Sequence, residues 1–101
     1  MITVKHGDTH PITLAVASDG APVDLSGATI RVLARPSGTS DEATLLEHTV
    51  TDASGGILTH TLTGTLTVGP WDVEVEVTRD GTTVTYPTDG YERLRVQPDI
   101  G

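Results

Sequence analysis

The 101-residue chain has room for one domain and one modest core. It has no cysteine and so no disulfide framework; with no phenylalanine, one tryptophan and two tyrosines, its core must come from Val, Leu, Ile and Ala. Six Lys plus Arg against fourteen Asp plus Glu give a net charge of −8, which argues against the positive surface that nucleic acid and anionic membranes require.

The opening "MITVKHGDTHP" lacks the basic and apolar regions of a signal peptide. No apolar run in the chain approaches the ~20 residues needed to span a bilayer. "MITVK" reads as a sheet-edge strand. "HPITLAVAS" places Ile12, Leu14 and Val16 on one face, and Pro11 stands near the strand start, where a missing donor is tolerated. After the turn chemistry of "SDGAPVDLSG", "ATIRVLAR" puts Ala28, Ile30, Val32 and Ala34 on one face.

"PSGTSDEA" is a loop, and "SDEATLLEH" is the one short helix candidate. "TLLEHTVT" and "GILTHTLT" flank the five-residue turn "DASGG". Opposing Thr51 to Ile57 aligns Val50 with Leu58, His48 with His60 and Leu46 with Leu62. Two histidines on adjacent strands could begin a zinc site. Such a site needs further ligands, and Glu47 points to the opposite face, so half-buried histidines are the expectation. His6 and His10, around "GDT", read as loop or edge residues without a role.

"WDVEVEVTR" carries the strongest strand signal. Trp71, Val73, Val75 and Val77 face inward, while Asp72, Glu74, Glu76 and Thr78 face water. Asp80-Gly81 is a preferred two-residue hairpin pair, with Arg79 opposite Thr82, Val77 opposite Val84 and Val75 opposite Tyr86. Pro87 fixes φ and ends that ladder, and Gly90 eases the corner before Tyr91. "ERLRV" alternates once more, Leu94 and Val96 inward and Arg93 and Arg95 outward, and is expected to be the other exposed edge.

The carboxylates Asp72, Glu74 and Glu76 lie ~6.6 Å apart along one strand face, too far to share a proton. They do not form a calcium loop, which gathers oxygens from a tight turn. A solvated face is the expectation, with an interface to basic groups, including Arg93 and Arg95 of the same sheet or a neighbouring subunit, as the alternative. No serine sits in a nucleophile elbow, and no glycine pattern forms a phosphate loop. No catalytic residue, cofactor or metal is assigned, and the chain is not expected to be an enzyme. Residues 1–101 are expected to form a single antiparallel β-sandwich of seven to eight short strands.

The turns in their order add a resemblance. "HGDTHPITLAVASDGAPVDLSGATIRV" runs from a GDT start through a strand and a D-G-x-P-V-D-L turn into S-G-A-T-I-R-V. "VTDASGGILTHTLTGTLTVGPWDVEVEVTRDGTTVTYPTDGYERLRVQPDI" supplies a D-x-S-G-G turn, a G-P-W-D strand, a D-G hairpin and P-T-D-G-Y-x-x-L-x-V. This order resembles the Ig-like domain at the N-terminus of phage baseplate upper proteins and in small minor tail proteins of tailed phages.

The resemblance implies a structural protein of the virion, made in the host cytoplasm and placed in the tail tip or baseplate rather than the capsid. Its partners would be other virion proteins and further copies of itself, as a trimer or hexamer, with neither nucleic acid nor membrane among them. Asp72, Glu74, Glu76, Arg93, Arg95 and Tyr91 are the candidate interface residues; Tyr91 also suits a lid over one end of the sandwich. A capsid decoration protein is the nearest alternative. A carbohydrate- or calcium-binding module, with "PSGTSDEA" as its loop, is a more distant one.

Overall fold

The computed structural model describes residues 2–38, 42–62, 66–87 and 92–98. Among these there is no helix. The strands are β1 (Ile2–Lys5), β2 (Pro11–Ala15), β3 (Ala17–Ser18), β4 (Ala21–Pro22), β5 (Thr29–Pro36), β6 (Thr44–Leu46), β7 (Thr49–Asp52), β8 (Ile57–Thr61), β9 (Gly69–Arg79), β10 (Thr82–Tyr86) and β11 (Glu92–Gln97). The all-β expectation holds, but the described residues form eleven strands where seven to eight were expected, because short runs such as 17–22 and 44–51 each divide into two. The helix candidate does not hold: its described part enters β6.

The long β9 organises the larger sheet, whose order is β1-β11-β9-β5-β6. One side of β9 is covered by β5 from Trp71 to Thr78. Its other side is divided, with β11 pairing Gly69–Val73 and β10 pairing Val75–Arg79. The smaller sheet has the order β2-β8-β7, and β3 and β4 form a short hairpin of their own.

One hydrophobic cluster joins the two sheets. Val32, Val73 and Leu94 of the large sheet and Leu58 of the small one are its largest fully buried side chains. Trp71 is buried too, and its indole N–H is satisfied by the Thr67 carbonyl at 3.0 Å. The alternation read in β2, β5, β9 and β11 therefore translates into burial as expected. The hairpin register is also as read: Arg79 opposes Thr82, Val77 opposes Val84 and Val75 opposes Tyr86. Asp80 and Gly81 both take positive φ, 52° and 78°, as a turn that follows the strand twist requires.

Three expectations need correction. The sandwich is not purely antiparallel, because β1 joins β11 in parallel, Ile2 opposite Leu94. A parallel pair needs a long connection, and here nearly the whole chain lies between the two strands. It follows that β11 is not an edge, since it lies between β1 and β9, whereas among the described strands β1 pairs with β11 alone. Alternation reports which face is buried, not how many neighbours a strand has.

The third correction concerns 44–51, read as one strand. It changes sheets. Leu46 of β6 opposes Val32 in the large sheet instead of Leu62, and Thr49 of β7 opposes Thr59 in the small one. Val50 opposes Leu58 as expected, but a bulge at Thr51 puts Asp52 opposite Ile57. At the crossing the Glu47 carbonyl turns inward and accepts a 2.6 Å hydrogen bond from His60 Nδ1. A carbonyl can only accept, so this bond fixes the proton on Nδ1. His60 is thereby a buried, satisfied residue, and His48 is not its strand partner.

Candidate functional site

The outward face of the large sheet holds five of the candidate interface residues. Successive outward positions of β9 are Asp72, Glu74 and Glu76, and the neighbouring strands place cations beside them. Asp72 lies between Arg93 of β11 and Arg35 of β5. Glu76 lies beside Arg31 of β5, their side chains 3.1 Å apart. Glu74 lies beside Leu33, and beyond it stands Leu45 of β6, 59% exposed.

The expectation of a solvated acidic row fails at Asp72, which is only 8% exposed. Its Oδ1 accepts from the Ser37 hydroxyl at 2.6 Å and pairs with Arg93 Nε at 3.1 Å. A carboxylate this buried needs such donors, because losing them leaves an unsatisfied group out of water. Ser37 is held in place by its amide, which donates to the Pro70 carbonyl at 3.0 Å. Arg93 is thus a partner within the sheet. Arg95 differs: it is exposed, sits between Thr3 and Pro70, and among the described residues no carboxylate pairs with it. Tyr91 lies outside the described residues, as do Gly90 and positions 39–41 of the loop considered for calcium.

Arg31, Arg35, Ser37, Leu33 and Leu45 were not anticipated at this face. The alternation of β5 placed its arginines outward, but only the β5–β9 register brings them to the acidic row. Leu45 carried no signal, since 44–51 read as a strand of a different sheet.

The turns "SDGAPVDLSG", "DASGG" and "TRDG" meet at the far end of β9. The Val16 amide donates to the Gly56 carbonyl at 2.8 Å, and the Val23 amide to the Val16 carbonyl at 2.9 Å. The Leu25 amide donates to the Ala53 carbonyl at 2.8 Å, and the Leu25 side chain is buried. Gly56 has φ +70°, and a Cβ there would come within 2.5 Å of the Val16 oxygen. Glycine is therefore required on two counts.

Arg79 closes this end from the other sheet. Its Nη2 donates to the Asp24 carbonyl at 2.6 Å and to the Ser26 carbonyl at 3.0 Å. The Ser26 hydroxyl and amide hold the Asp24 carboxyl below the usual carboxylate range, helped by Arg79.

Among the depressions at the described residues, two lie against the core. One, of about 250 Å³, lies at the sheet crossing and is lined by Val4, Lys5, Leu46, Glu47, His60 and Leu66, among others. The other, of about 330 Å³, runs between β2 and β10 and is lined by Leu14, Val16, Val75, Tyr86, Pro87 and Glu92, among others. Neither lining arranges a nucleophile against a general base in the manner of a catalytic site. Among the described residues no three His, Asp or Glu side chains converge to hold a metal ion. No protein-family model matches the chain, and no curated protein matches its sequence.

Proposed function

We propose that this chain is a non-enzymatic structural component of a tailed-phage virion, an Ig-like domain of the tail tip or baseplate that acts by binding other virion proteins. The observation that carries this reading is the ordered set of turns. "SDGAPVDLSG", "DASGG" and "TRDG" appear in the family-like order, and in the fold they lock together through Gly56, Leu25 and Arg79. Turns that meet at one joint behave as a single architectural unit, which supports reading them together and not as separate short strings.

Assembly as the mechanism is supported by the edges. β1, β2, β6, β7 and β10 each have one side without a strand partner among the described residues, and such sides can pair with another chain. The outward face adds fixed charges and the exposed Leu45. Peptide mass spectrometry of gradient-purified particles, followed by antibody labelling in electron microscopy, tests the reading. Label at the tail tip is expected. Label on the head would replace this reading with capsid decoration, and absence from particles would overturn both.

A further inference from the structure

The basic residues are not spread over the molecule. Five of the six, Lys5, Arg31, Arg35, Arg93 and Arg95, occupy outward positions of β1, β5 and β11 on one face of the large sheet. Three carboxylates share that face, and two of them are paired within it: Asp72 with Arg93 and Ser37, and Glu76 with Arg31. The face as a whole is therefore cationic in a chain whose net charge is −8.

Its charge is also graded along β9. At the Pro70 end stand Lys5, Arg35, Arg93 and Arg95 against Asp72, sealed inside the sheet, and the exposed Glu42, two residues before β6. Asp8 is nearby, but its carboxylate is turned to the Lys5 amide, at 3.0 Å, and to His10. At the Asp80 end are the joined turns with Asp19, Asp24, Asp52 and Asp80. Arg79 is the one described cation among these turns, and it is committed to two carbonyls. Ten residues of extended strand separate Pro70 from Asp80, about 33 Å. Among the described residues, charge therefore passes from a small positive excess at the Pro70 end to a negative one at the Asp80 end.

We propose that copies of this chain associate head to tail, the Lys5–Arg35–Arg93–Arg95 end of one copy receiving the aspartate-bearing turns of the next. The inference rests on the reading of the chain as an assembly component, and names the partner as a second copy. Net repulsion between two copies does not prevent it. At physiological salt charges beyond about 8 Å are screened, so the groups in contact decide the sign, not the total. The contact also has apolar material on both sides. Leu45 is exposed beside Leu33 on the receiving face, and Ala17, Ala21 and Pro22 are exposed on the β3–β4 hairpin that carries Asp19 at its tip. A contact between two different surfaces is heterologous, so repetition produces a ring if the rotation closes and a filament if it does not.

Native mass spectrometry of two variants tests this. Arg95→Glu reverses the exposed cation that lacks a partner among the described residues. Asp19→Asn with Asp80→Asn removes two aspartate charges and keeps a residue type that tolerates their positive φ. The unmodified chain is expected to oligomerise, and each variant to weaken association by about tenfold or more with an unchanged melting curve. Mixing the variants restores one intact surface on each, so a one-to-one heterodimer that grows no further is expected. A monomeric unmodified chain, or oligomers indifferent to both variants, overturns the head-to-tail contact. Detection of that same chain in purified particles would leave the virion reading standing, with other proteins as the partners.

Discussion

The two faces of β9 are written with the same period and obey different rules. Inward, Trp71, Val73, Val75 and Val77 are all buried, and any strand with this alternation beside a core would bury them. Outward, Asp72, Glu74 and Glu76 look equivalent, yet Asp72 is sealed between strands, Glu74 faces a leucine and Glu76 forms an exposed pair. The inward outcome depends on β9 itself. The outward outcome depends on which residues of β5 and β11 arrive opposite, some forty and twenty positions away in the chain. Local pattern decides burial, whereas register decides chemistry.

Substitutions can break this contrast, and the largest effect belongs to the inner face. Val75→Asp introduces an unpaired charge beneath Val32, and its cost of more than about 4 kcal/mol should leave the chain unfolded. Circular dichroism checks this, and a folded mutant would refute the assigned facing. Gly56→Ala comes next. It forces a Cβ against the Val16 and Val23 carbonyls at positive φ, at a cost of about 2–4 kcal/mol in chemical denaturation. A neutral result would mean that the turns are not locked as described.

Within the outer face, Asp72→Ala strands the Ser37 hydroxyl and frees Arg93, and should cost about 1–3 kcal/mol. Arg31→Ala removes only an exposed pair and should cost less than about 1 kcal/mol. Equal costs would erase the distinction drawn between Asp72 and Glu76. The smallest effect concerns Asp24. Its carboxyl is held low in the folded state, so its stabilisation is complete above the unfolded value of about 4 and fades as pH falls through the lower folded value. Asp24→Asn should flatten the acid limb of a pH–stability curve, lowering stability slightly at neutral pH and leaving the most acidic end unchanged.

Much of the fold was legible because its determinants are local. Alternation identified the buried rows of β2, β5, β9 and β11, and Asp80-Gly81 fixed a hairpin whose register is as read. What escaped was nonlocal. The parallel arrival of β1 next to β11 is a property of topology that no strand sequence encodes alone. The crossing at Glu47–His48 breaks a run whose periodicity continues smoothly across it, and only the His60 bond to the Glu47 carbonyl marks the break. The candidate face was half legible: Arg93 and Arg95 were read as outward, but the β5 arginines could be placed only once β5 was known to pair with β9. The difference in charge between the two ends of the sheet follows from that pairing.

Sedimentation velocity of the unmodified chain over a salt series tests the central claim, that its outer face and its joined turns recognise each other through charge. Association is expected to grow with protein concentration and to weaken steadily as NaCl rises from about 0.05 to about 0.5 M. Association that strengthens with salt would assign the contact to apolar surface such as Leu45, and would contradict the charge-directed arrangement.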